Sequence, residues 1–283
     1  MMKNFFGLKL TVAIASLTII VSIISMFLYD TVEANNINSL DSIPKAAIID
    51  QLYDDVPHDK FHEKASKLLE SVGYQVDIFT TKDITVDFYK KLPLLNYKLV
   101  VVRSHGVADQ NDKNSVALFT GEKYVTDDYI SEQLFGQVKK GAPLVEVDFL
   151  ANGTDSDWVI VNDTYRTLTV PAKTITTSDE EYFLITPTFV DTAMEGKFSQ
   201  TIFVLGGCST MRTDTMAQSL IKRGASSVVG WDNTVGSSDN DVLMLMLLEE
   251  LLVNNMTMKD AADSVMKKVP IENMMYPARL KVF

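Results

Sequence analysis

Apolar positions between residues 45 and 102 follow two alternating patterns. The runs KAAIID at 45–50 and LVVV at 99–102 are short, continuous and rich in β-branched or small residues, as expected of strands buried on both faces. Between them, residues 60–72 place Phe61, Ala65, Leu68, Leu69 and Val72 on one helical face, with Gly73 just past the end. Residues 75–79 read as another strand and 86–92 as a short helix. Strand, helix, strand, helix, strand predicts a mostly parallel sheet with right-handed crossovers flanked by helices, an α/β fold.

Residues 116–120 and 123–125, separated by Gly121-Glu122, predict a hairpin, and 126–138 a helix. Residues 141–177 then become β-rich, with candidate strands at 144–149, 158–161 and 165–170, which predicts an inserted antiparallel flap. The α/β rhythm returns with a strand at 201–205, a helix at 213–222 stopped by Gly224, and a strand at 227–231. A strongly apolar helix at 239–252 and a last helix at 258–267 follow, and the tail at 280–283 is expected to rejoin the sheet.

One stretch fits neither pattern. Residues 10–29, LTVAIASLTIIVSIISMFLY, carry no charge over 20 positions, long enough to cross a bilayer as a helix. Lys3 and Lys9 precede the stretch and Asp30 and Glu33 follow it, so the short N-terminus is expected in the cytoplasm and the rest outside. Small residues in Val32-Glu33-Ala34 suit a signal peptidase, so a cleaved signal peptide competes with an uncleaved anchor. Either way the globular part is extracytoplasmic, anchored to a membrane or secreted. The expected organisation is an N-terminal segment and anchor at 1–34, a polar spacer at 35–44, and one α/β domain at 45–283. Acceptor triplets for N-glycosylation begin at Asn152, Asn162 and Asn255, in keeping with that topology.

Composition narrows the function classes. The 283 residues are 46% hydrophobic, which suits a packed globule. A net charge of -11 repels phosphates and argues against a nucleic-acid partner. The single cysteine, Cys208, rules out an intrachain disulfide and a multi-cysteine zinc site. His58 and His62 lie four apart, a spacing that can hold a metal on one helical face, but no third ligand accompanies them. Gly206-Gly207 lacks the Lys-Ser/Thr of a phosphate loop. No metal and no cofactor are expected.

His105 follows one predicted central strand, in Val-Val-Arg-Ser-His-Gly, and Cys208 follows another, in Leu-Gly-Gly-Cys-Ser-Thr. Open parallel sheets bind ligands beyond the carboxyl ends of their strands, so both side chains are expected on one rim. A thiolate there attacks a carbonyl while the imidazole protonates the leaving amine. The N–H groups of Gly106 and Cys208 could form the oxyanion hole, and the helix after Cys208 would favour the thiolate through its dipole.

The ordering of a strand ending in His-Gly and a later strand ending in a small residue and Cys resembles the caspase-like cysteine peptidases, a group that includes gingipains, clostripain, separase and the CHAT domains. The stretch from 203 to 265, with Cys-Ser-Thr, a helix ending at Arg-Gly-Ala, the strand Ser-Val-Val-Gly-Trp and a long apolar helix, is most similar to the CHAT branch. The resemblance implies a caspase-like sheet and hydrolysis of peptide bonds in a peptide or protein substrate by a His105–Cys208 dyad. In the basic-specific members acidic residues line the specificity pocket. By position, Asp232 and Asp50 are the candidates here for cleavage after basic residues; Asp232 could equally cap a turn. The chain departs from the caspase pattern in its spacing. His105 and Cys208 are 103 residues apart, against roughly 50 in caspases, and Gly-Gly-Cys stands where caspases have Gln-Ala-Cys. The alternatives are a catalytically inactive surface module that binds a partner and a membrane-anchored solute-binding protein.

Overall fold

The β-branched runs read from the sequence form the centre of a six-stranded sheet, identified here in a computed structural model that describes residues 43–108, 116–147, 159–161, 164–166, 174–177 and 179–283. Its strands are β1 (Lys45–Asp50), β2 (Gln75–Thr80), β3 (Leu99–Arg103), β12 (Thr201–Gly206), β13 (Ala225–Trp231) and β14 (Leu280–Val282), in the spatial order β14-β13-β12-β3-β1-β2. All neighbours are parallel except β14, which runs antiparallel to β13. β3 is buried along its whole length, consistent with a strand that has helices or a second sheet on both faces.

Alternate residues of these strands feed two cores. On one face Leu99, Val101, Val204 and Val229 pack against α1 (Asp59–Ser71), α6 (Ser237–Leu252) and α7 (Met258–Lys268). α6 is apolar on most of its circumference because it lies between the sheet and its neighbours α1 and α7. On the other face Val100, Val102, Phe203 and Leu205 meet α2 (Val86–Lys91), α4 (Pro187–Thr192) and α5 (Thr215–Lys222).

That second face also carries a four-stranded antiparallel sheet, in the order β4-β5-β11-β6. It is built from β4 (Gly106–Ala108), β5 (Val116–Lys123), β6 (Val138–Gly141) and β11 (Tyr182–Ile185), with α3 (Ile130–Leu134) between β5 and β6. Four short strands lie between β6 and β11. β7 (Leu144–Val147) pairs with β10 (Thr174–Thr177), and β8 (Val159–Val161) with β9 (Thr164–Arg166), all antiparallel.

Two expectations are corrected. Gly121-Glu122 is not a turn: β5 continues through it, with its register against β11 shifting there. A Cβ at Gly121 would stand 1.7 Å from the carbonyl oxygen of Thr81, so glycine is needed there for close backbone approach. The helix expected over 126–138 shrinks to α3, because Tyr129 and Gly136 adopt left-handed backbone at its two ends (φ 51° and 67°). Among the described residues no helix is long and apolar enough to cross a membrane. Residues 10–29, on which the expected anchor rests, lie outside the described residues.

Candidate active site

β3 and β12 are immediate neighbours, paired from Leu99↔Ile202 to Arg103↔Gly206. The two chains leave the sheet side by side, with the Ser104 N–H donating to the Gly206 carbonyl at 2.9 Å. His105 and Cys208 each sit two residues beyond the last pair. A Cβ on Gly106 would stand 2.3 Å from the carbonyl oxygen of Cys208, and one on Gly207 would stand 2.3 Å from that of Ser104. The glycines are therefore what lets the His105 and Cys208 loops lie backbone against backbone.

His105 is held from three sides. Its N–H donates to Oε1 of Gln51 at 2.9 Å, its carbonyl accepts from the Phe119 N–H at 3.2 Å, and its ring meets the Phe119 ring edge-on at 5.8 Å. The side chain is 16% exposed. Burial, reinforced by the positive charge of Arg103, lowers the imidazole pKa to about 4, so the ring is neutral around pH 7 and able to accept a proton. Nε2 lies 3.9 Å from Oδ2 of Asp55, beyond hydrogen-bond reach.

The hydrogen bond from Phe119 to His105 sets the alternation along β4 and β5. Gly106, one residue on, opposes Leu118 as a non-hydrogen-bonded pair, so its N–H points away from β5.

Cys208 is partly buried beside the α6 core. Its Sγ donates to the Val235 carbonyl at 3.5 Å. The following residue, Ser209, has left-handed backbone (φ 57°), a conformation that costs a non-glycine residue about 1–2 kcal/mol. The turn is stabilised by bonds to the end of β13: Ser209 N–H to the Asn233 carbonyl at 2.9 Å, Met211 N–H to the Trp231 carbonyl at 2.8 Å, and Trp231 N–H to the Thr210 hydroxyl at 3.1 Å. α5 begins only at Thr215, so the expected dipole of the helix following Cys208 acts too far away. The thiol's own partner leads into a different helix, since Val235 directly precedes Gly236, the N-cap of α6.

Beneath this rim lies an ionic cluster that the sequence reading did not assemble. Arg103, 0% exposed, binds Asp50 through Nη1 at 2.9 and 3.1 Å and Asp241 through Nε and Nη2 at 2.7 and 2.9 Å. Nη2 also donates to the Val56 carbonyl at 2.8 Å. His62 Nε2 lies 2.6 Å from Asp50 Oδ2, and His58 Nδ1 lies 2.8 Å from Asp241 Oδ2. Burial works against the Asp241 carboxylate, but the bonds from His58 and Arg103 outweigh it and hold its pKa below the usual range. Asn240 links the cluster to the Trp231 indole.

The expected specificity-pocket role of Asp50 does not fit this placement. Its carboxylate is buried and engaged by Arg103, His62 and the Leu52 N–H, which leaves it turned into the protein. Asp232, half-buried after β13, accepts from the Arg279 N–H at 2.7 Å and returns its own N–H to the Arg279 carbonyl at 3.0 Å, so it secures the segment leading into β14. His58 and His62 each face a carboxylate on a different element, and the guanidinium lies between those carboxylates. Among the described residues no group of three or more His, Cys, Asp or Glu side chains is arranged to hold a metal ion.

No family model matches the chain, and no curated protein does. The site is a neutral, partly buried imidazole and the chain's one thiol on adjoining loops at the carboxyl end of a parallel sheet. The residues that sequence reasoning missed here are Gln51, Asp55, Arg103 and Asp241. One of them had a visible signal: Arg103 ends an apolar strand, as Asp50 does, and opposite charges at corresponding strand ends suit a pair.

Proposed function

We propose that this chain is a caspase-like cysteine endopeptidase, held at a membrane by residues 10–29 with its catalytic domain on the extracytoplasmic side. His105 and Cys208 are its catalytic dyad. The observation that carries the reading is the Arg103↔Gly206 register, which sets the two residues at equal offsets on adjoining loops. In the proposed reaction His105 takes the thiol proton as Sγ bonds to the substrate carbonyl carbon, and the carbonyl electron pair moves onto oxygen. The Gly106 N–H, turned away from β5, is a donor for that oxyanion. The oxyanion then collapses, the C–N bond breaks, and the imidazolium returns its proton to the leaving amine. Water hydrolyses the resulting thioester. Because the resting imidazole is neutral, the thiol is activated during attack, with His105 as general base.

A preference for basic residues loses Asp50 as its carrier and retains Asp232, whose carboxylate is half-exposed. The strands β7 to β10 supply the inserted β-rich flap of this reading. The test is hydrolysis of a peptide library by the full chain. Cleavage that falls at least about a thousandfold in both Cys208→Ala and His105→Ala supports the dyad; cleavage retained in either variant overturns it.

A second reading is a catalytically inactive surface module of the same fold. The contact that favours it is the bond from Sγ to the Val235 carbonyl, which turns the thiol towards the core. It predicts no cleavage of any library peptide by the folded chain.

A further inference from the structure

We propose that Asp55 is a positioning residue for His105: its carboxylate accepts the Nε2–H and steadies the imidazolium, leaving Nδ1 to exchange a proton with Cys208. The inference rests on the peptidase reading and adds a third member to its dyad.

The geometry comes from the loop between β1 and α1. Asp55 Oδ2 is 3.9 Å from Nε2, and among the described residues Nε2 has no hydrogen-bond partner although it is buried. A buried imidazole nitrogen without a partner is costly at rest and more so once protonated. The Asp55 carboxylate needs to advance about 1 Å to make the bond, a tightening commonly seen when substrate enters a site. Its starting position is well defined. Asp55 immediately precedes Val56, whose carbonyl is held by Arg103 Nη2 at 2.8 Å and whose N–H donates to the Leu52 carbonyl at 2.7 Å. Further along, His58 is bonded to Asp241 of α6. At the other end of the loop, Gln51 bonds both the Arg103 carbonyl through its N–H and the His105 N–H through its side chain. The same segment thus holds the backbone of His105 and presents a carboxylate to its ring.

The electrostatics agree. Burial, then the neighbouring charges of Asp54 and Glu180, raise the Asp55 pKa. A carboxylate so crowded by negative charge gains from a cationic partner once the ring is protonated. In the resting state burial and Arg103 still keep His105 neutral, so the carboxylate matters when the thiol proton arrives. Occupying Nε2 also selects the tautomer whose other nitrogen is a free base.

The test uses the rate at which iodoacetamide, a neutral reagent, alkylates the single cysteine of the full chain at pH 7. His105→Ala should slow the reaction, and Asp55→Ala should slow it about tenfold. Asp55→Glu should recover part of the rate, and added acetate should rescue the alanine variant in a concentration-dependent way. In a His105→Ala background Asp55→Ala should have no further effect, because it acts only through the ring. A His105→Ala variant labelled as fast as wild type would sink the dyad and this inference with it. If His105→Ala slows labelling while Asp55→Ala does not, or slows it equally in both backgrounds, Asp55 is not a positioning residue and the dyad stands.

Discussion

His105 couples site chemistry to stability in a measurable way. The folded chain protonates this ring near pH 4, whereas an unfolded chain does so near 6.5. Between those values the unfolded state binds more protons, so stability falls as pH drops from 6.5 towards 4, by about 3 kcal/mol over the span. Above 6.5 the ring is neutral in both states and contributes no slope. Denaturant midpoints measured between pH 4.5 and 7 should therefore decline with acid in wild type and decline less in His105→Gln. Equal slopes would show that the ring is not buried as described. Gly106 gives a second residue-scale prediction. A methyl group 2.3 Å from the Cys208 carbonyl oxygen has nowhere to go without separating the loops, so Gly106→Ala should lose about 1–3 kcal/mol in a denaturant titration. Unchanged stability would mean that the loops are not in contact.

At the scale of elements, Arg103 joins the ends of β1 and β3 to α6 and to the loop beyond β1. Arg103→Met would leave Asp50 and Asp241 buried without their cation, a change expected to cost about 3–5 kcal/mol. A thermal melt with an unchanged midpoint would refute it. The buried strands were legible in the sequence because β1, β3, β12 and β13 are short apolar runs that nothing else explains. α1, α6 and α7 were legible from helical spacing. The second sheet was not, for a physical reason: its strands pair across long separations, Gly106 with Leu118 and Tyr182 with Gly141, and local pattern carries no information about such partners. Gly121 misled because glycine marks turns and close approaches alike. The positions of His105 and Cys208 on one rim followed from strand ends alone, whereas Asp55 and Gln51 sit in an irregular loop whose side-chain directions no periodicity sets.

For the whole molecule, the proposed anchor gives a direct expectation. The full chain should remain with membranes through alkaline carbonate extraction, and a chain lacking residues 1–34 should not. Recovery of the full chain in the soluble fraction would rule the anchor out. The acidity of the chain, -11 at pH 7, has a related effect. Association with anionic vesicles should be weak at low salt and strengthen as salt screens the repulsion.

The pairing of β3 with β12 joins segments about a hundred residues apart in the chain, and contacts of that kind form late in folding. A ribosome delivers the imidazole long before the sulfur. A nascent chain, or one cut within the intervening stretch before it folds, carries a histidine loop without its companion strand. On the peptidase proposal the growing polypeptide can cleave neither its neighbours nor itself until most of its length has been made.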